Sequence, residues 1–365
     1  MRKYYLDNLR TLTVLLVVVY HVIYMFNAVT TAGVMGPIGG PQALDVVLYL
    51  LYPWFMVVLF LVSGICSRYY LACHTGKAYL RARARKLLVP STIGVLVFGG
   101  AQGYVNMLLS HVLDTLPDGV PKPVFYLILC LSGVGVLWTI QVLWVCSVVL
   151  LVVRKIERGR LADLGRSWGV PVLLALGAAV WLSAQVLNTP VVVVYRFGIY
   201  GFVFLLGYYV FAREEVTDRL SRAAIPLLGL AVALGALYTY IYYGSNYAVA
   251  PAVNSPLAIA YGWAACLAVL AGMKRWADRT SPIRQWLGRR SFGLYVFHYL
   301  PLSAAAYLLV NYTRLPAGAI YLLTAVAALL GGWGLYAVVS RVPVLRWCVL
   351  GIGKQKGRAE CSTRI

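Results

Sequence analysis

The chain has 365 residues, of which 61% are hydrophobic and only 12% charged, with a mean hydropathy of +0.79. So few charges do not cover a water-soluble fold of this size, which excludes a soluble globular domain. The formal net charge of +21 invites a nucleic-acid reading, but the basic residues sit in short segments between apolar runs of about 20 residues, the length that spans a hydrocarbon core; no nucleic-acid partner is expected.

The N-terminus is basic and then apolar, like a signal peptide. Its apolar run is long, carries His21 and lacks a small-residue cleavage site, so it reads as a retained first span over 11–30. The Gly/Pro-rich link Gly33–Pro41 leads to a second span over 44–66. Further spans are predicted over 87–110, 134–153, 168–187, 192–211, 223–243, 256–273, 291–310 and 317–339. The apolar stretch 124–133 is too short to cross and reads as re-entrant or interfacial. The expected fold is an all-α polytopic bundle of about ten transmembrane helices, with one domain over 1–345 and a short basic tail over 346–365.

Lysine and arginine alternate against these spans. Of the 32, all but Lys122, Arg196 and Arg314 fall on one side. A span more or fewer would scramble that pattern. The positive-inside rule makes the basic side cytoplasmic and puts both termini there. The seven cysteines (Cys66, Cys73, Cys130, Cys146, Cys266, Cys348 and Cys361) show neither CxxC spacing nor a disulfide framework, and no metal is expected.

Ionisable residues at membrane depth are costly and are functional candidates by default. His21 lies near the predicted midplane, eleven residues past Arg10. Eleven residues rise roughly 16–17 Å and return to within about 20° of the same direction. Arg10 at the interface suits a phosphate, and an extended pantetheine arm would carry a thioester up to His21. A neutral imidazole there would take a proton from an attacking hydroxyl or accept the acyl group itself; the alternative is a histidine that hydrogen-bonds a neighbouring helix. His298 lies at a similar predicted depth, on one helical face with Ser291 and Tyr295. His74 and His111 lie at or near loops. Arg196, on the otherwise uncharged outer rim, either binds an acceptor or reaches lipid headgroups. Arg83, Arg85 and Lys86, at the cytoplasmic start of the third span, either clamp the anionic end of coenzyme A or anchor the helix in the ordinary way. Asp45 should lie level with Asn27, above His21. A rival reading is a proton-coupled transporter or flippase with the histidines as relay, although no repeat symmetry and no midplane acid supports it; a non-catalytic sensor is a third.

Several strings, in order, resemble the membrane-bound acyltransferase 3 family: YLDNLRTLTVLLVVVYH from residue 5, with Arg10 and His21; FLVSG at 60–64; Arg83, Lys86 and Pro90; VLWTIQVLW at 136–144; FVFLLGYYVF at 202–211; and LGRRSFGLYVFH at 287–298. Val136 and Thr139 depart from the family's usual tryptophan motif. The resemblance implies transfer of an acyl group, most often acetyl, from cytoplasmic acyl-coenzyme A to a hydroxyl of an extracytoplasmic glycan or lipid-linked acceptor. It implies His21 as catalytic and Arg10 as its partner. Membrane lipids, acyl-coenzyme A and an envelope acceptor are the expected partners, and a bacterial plasma membrane the expected location.

Overall fold

A backbone without water around it must satisfy its own polar groups, and this chain does so with helices. The computed structural model describes residues 3–29, 33–39, 43–115, 117, 119–189 and 193–353. Among these there is no β-strand, only an isolated antiparallel bridge between Asn188 and Arg196. The helices are α1 (Tyr4–Tyr24), α2 (Asp45–Leu51), α3 (Phe55–Cys73), α4 (Gly76–Leu109), α5 (Lys122–Ser132), α6 (Gly135–Glu157), α7 (Val170–Ser183), α8 (Phe197–Phe211), α9 (Glu214–Arg222), α10 (Ala224–Tyr242), α11 (Pro256–Trp276), α12 (Pro282–Phe297), α13 (Tyr299–Tyr312), α14 (Ala317–Arg341) and α15 (Pro343–Leu350).

Every predicted span is occupied by a helix, but not every helix is long enough to cross unaided. Seven pass on length and composition among the described residues, counting α2 and α3 as one span, and eight if the bent pair α12–α13 is one span. The difference from ten lies in the fifth and sixth predicted spans. There α7 and α8 are apolar but short, because the chain is not helical at residues 184–189 and 193–196. The short stretch near 124–133 is α5, which packs against α4 so closely that a Cβ on Gly103 would fall 1.7 Å from the Leu129 carbonyl oxygen.

The segments predicted to share a side do meet. At one end, Lys3 donates to the Tyr69 hydroxyl at 2.8 Å and pairs with Glu214 at 3.4 Å. Arg213 pairs with Asp163, Lys274 with Asp218, and Arg219 caps the carbonyls of Arg166 and Trp168. Asp278 accepts from the Tyr5 amide, one of the orphan donors at the start of α1, and Asn8 donates to the Ala277 and Arg279 carbonyls. At the other end, the Tyr49 hydroxyl donates to the Ser245 carbonyl, and Trp181 and Gln185 donate to that of Asn254. Asp45 accepts from the Ala28 amide at 3.1 Å, at the level of Asn27 as predicted.

Two glycines from the strings quoted above face each other. A Cβ on Gly64 would lie 2.0 Å from the Phe204 carbonyl oxygen, and one on Gly207 would lie 2.2 Å from that of Leu61. Their missing side chains let α3 and α8 cross backbone to backbone, which is how helices gain packing where apolar burial alone drives nothing. The boundary expected at 345 falls inside α15, whose Cys348, Val349 and Leu350 are buried against α4; residues 354–365 of the expected tail lie outside the described residues.

Gly207→Leu is expected to destabilise the fold by about 1–3 kcal/mol or more through overpacking. Gly229→Leu, at a position with open space around it, is the control. Thermal unfolding in detergent checks both, and equal melting temperatures would disprove the crossing.

Candidate active site

Helix α1 is unbroken from Tyr4 to Tyr24, so the spacing of Arg10 and His21 along one face is realised. It packs against α2, α3, α11, α12, α13 and α14. Its most exposed large apolar residues, Leu12 and Val19, are each two positions from Arg10 or His21, about 200° around the helix. The face carrying Arg10 and His21 is therefore turned away from the apolar, lipid-compatible one.

His298 follows the last turn of α12, the helix that packs along this face, at the corner where the chain bends. Pro301 has no N–H, and its ring excludes the carbonyl of Phe297 four residues earlier. Accordingly α12 ends at Phe297, α13 begins at Tyr299, and the two are bent by 55°. Glycines of α14 accept the bend: a Cβ on Gly331 would meet Pro301 at 2.5 Å, and one on Gly332 would meet the His298 Cα at 3.2 Å. His298, fully buried, stands with its Nε2 3.2 Å from the Nδ1 of His21.

The surrounding carbonyls fix both tautomers. His298 Nδ1 lies 3.1 Å from the Leu294 oxygen and 2.9 Å from the Tyr295 oxygen. Carbonyls only accept, so Nδ1 carries the hydrogen and Nε2 keeps its lone pair. His21 Nδ1 lies 2.8 Å from the Val17 oxygen and so donates as well, sharing its hydrogen between Val17 and His298. The remaining nitrogen, His21 Nε2, is left with a free lone pair and bonds to nothing among the described residues. The rings of Tyr20 and Tyr299 lie 5.3 and 5.0 Å from that of His21, with Tyr24 at 6.3 Å. His21 nonetheless stays partly exposed. The chemistry available is that of a neutral imidazole base or nucleophile whose protonated form is steadied by a second imidazole.

The other candidates divide. Arg10 is exposed, with no bonded partner among the described residues. Arg83 donates to the Ser67 hydroxyl at 2.8 Å and stacks over the Tyr79 ring at 5.2 Å. Arg85 turns elsewhere: its carbonyl abuts Gly351 and its guanidinium approaches Gly353 beyond α15. Lys86 is exposed. Arg83 and Arg85 are two positions apart, about 200° around a helix, so they leave it on opposite sides. Ser291 donates to the Gly288 carbonyl of its own helix at 3.0 Å, and Tyr295 donates to the Val136 carbonyl at the start of α6; neither hydroxyl is directed at His21. Arg196 is 6% exposed and bonds to Asn254 and Val253, so it does not reach lipid headgroups. His111 pairs with Asp114 and His74 stacks on Tyr70, both exposed. Sequence reasoning missed Tyr20, Tyr24 and Tyr299; a tyrosine beside each histidine was the available signal.

The model of a family described as an acyltransferase domain matches residues 3–337. No curated protein and no solved structure matches the chain.

In protein labelled with ¹⁵N-histidine, both His21 and His298 are expected as Nδ1–H tautomers at neutral pH. An Nε2–H tautomer at His21 in the ¹⁵N spectrum would contradict the hydrogen-bond assignment.

Proposed function

Because the chain belongs to the acyltransferase 3 family and is a multi-pass membrane acyltransferase acting on groups other than aminoacyl groups, we propose that it moves an acyl group, acetyl in the first instance, from cytoplasmic acyl-coenzyme A to a hydroxyl of an extracytoplasmic glycan or lipid-linked acceptor. One observation carries this reading. The unengaged Nε2 of His21 belongs to a partly exposed residue on the same helical face as Arg10.

In this proposal Arg10 and Arg83 hold the anionic end of coenzyme A at the basic end of the bundle. Lys86, exposed on the same segment, adds to the attraction. Arg85, turned toward Gly353, contributes charge from farther off. The pantetheine arm follows α1 upward, and the thioester reaches His21. The acceptor hydroxyl gives its proton to His21 Nε2 while its oxygen bonds to the thioester carbonyl carbon. The carbon–sulfur bond breaks, and the departing sulfur takes the proton from the imidazolium to leave a free thiol. Throughout, His21 Nδ1–H points at the His298 lone pair, so the positive charge formed on His21 is met by an acceptor that needs no rearrangement. His298 is a positioning residue in this scheme, as are Pro301 and Gly332, which fix where it stands.

His21→Ala should lower kcat by roughly 10²–10⁴-fold, the range of a general base, in protein that still inserts and melts normally. Radiolabelled acetyl-coenzyme A and envelope extract, with purified protein in nanodiscs, give the measurement; full activity would remove the assignment. Arg10→Ala should act on KM for acetyl-coenzyme A rather than on kcat, by roughly 10–100-fold, as for one charge-assisted hydrogen bond. The wild-type KM should rise with salt, and a salt-independent KM would place the donor elsewhere.

A further inference from the structure

At the outer end of the bundle, Tyr52, Pro53, Arg196, Tyr238, Tyr247 and Val253 line a narrow cleft that is closed, with no room for a water molecule in this structure. Its polar groups are under-used. Arg196 directs one nitrogen of its fork to the Asn254 side chain at 2.8 Å and the Val253 carbonyl at 3.3 Å. Its Nε is buried and bonds to nothing among the described residues, and no carboxylate there pairs with it. Asp45, on the same side, accepts from the Ala28 amide instead. The Tyr238 hydroxyl is also buried without a partner, in a residue that is 0% exposed. A buried guanidinium without a counter-charge is costly, and so is a buried hydroxyl without a bond. Two orphaned donors in one cleft, one of them cationic, define a site short of an anion.

The cleft adjoins the histidine pair. The Tyr247 hydroxyl lies 3.3 Å from that of Tyr20, and the Tyr52 ring stands 5.0 Å from Tyr247 and 6.1 Å from Tyr20. Tyr20 is the chain neighbour of His21, and their rings are 5.3 Å apart. Tyr52 and Tyr247, and behind them Tyr20, therefore form an aromatic layer two rings deep between Arg196 and His21. Tyr52 lies in this layer because Pro53 interrupts the second span. The Leu50 carbonyl, which has no helical partner there, accepts from the Trp54 indole at 2.7 Å and the Tyr261 hydroxyl at 2.6 Å.

We propose that this cleft binds an anionic group of the acceptor, a phosphate or a carboxylate, through Arg196 and Tyr238. The proposal rests on the acyltransferase reading above and narrows its acceptor to an anionic one. The anion and the acylated hydroxyl are separated by at least the thickness of the tyrosine layer, so they do not sit on adjacent carbons. The tyrosine faces around the cleft suit a sugar ring between the two.

The test uses full-length protein in zwitterionic nanodiscs, with coenzyme A saturating the basic cytoplasmic end. Thermal unfolding is followed while inorganic pyrophosphate is titrated in one arm and glucuronate in the other. One of the two anions should raise the melting temperature of the wild type and of His21→Ala alike, and the stronger one tells phosphate from carboxylate. Arg196→Gln and Tyr238→Phe should each raise the apparent Kd at least tenfold, with Arg196→Lys in between. Titrations of Arg196→Gln and Tyr238→Phe that match the wild type, or a wild type that responds to neither anion, overturn the proposal. His21→Ala transferring acyl groups at the wild-type rate would overturn the catalytic assignment and leave this anion site standing.

Discussion

A hydrocarbon layer offers no water to a backbone amide, so a chain may leave the helix at membrane depth only where protein supplies the missing partners. This chain breaks its helices there at two prolines, and both breaks border the candidate site. At Pro53 the released Leu50 carbonyl is taken up by Trp54 and Tyr261, and Tyr52 is left beside the outer cleft. At Pro301 the helix turns through 55° and leaves His298 at the corner. There its ring stands against that of His21.

That contact gives the histidines unequal roles although they are chemically the same. Both have Nδ1 committed to helix carbonyls. His298 accepts from His21, and His21 alone keeps an unengaged nitrogen. The arrangement has the logic of a base oriented by a third group, with a neutral imidazole where a carboxylate more often stands. A neutral orienting group suits a site inside a membrane, where a buried carboxylate would need a counter-charge of its own. Toward the basic end, Arg10 lies exposed on the face of α1 that carries His21; toward the other, Arg196 lies buried among tyrosines.

Much of what gives the chain its family signature is packing around this arrangement. Gly64 and Gly207 come from separate strings and meet at one helix crossing. Tyr295 ties α12 to the start of α6 through the Val136 carbonyl, and Trp138 stacks near Tyr200 at 5.5 Å. Gln141 joins the Ser91 carbonyl to the Tyr195 hydroxyl. These residues carry no reacting group; they hold α4, α6, α8 and α12 in the register that α1 requires.

The sequence by itself determined the elements and their sidedness. Apolar run length and the alternation of lysine and arginine are one-dimensional signals, and the charged segments do gather at one end of the bundle. Helical periodicity likewise placed Arg10 and His21 on one face, because a single unbroken helix needs no tertiary information. It could suggest a common depth for His21 and His298 but not their contact. Only the tertiary structure decided that, since it depends on how α12 packs against α1 and on the carbonyls that set each tautomer. It also drew Arg196 into the protein. Those outcomes are fixed by which surfaces meet between helices far apart in the chain, and local periodicity holds no record of that.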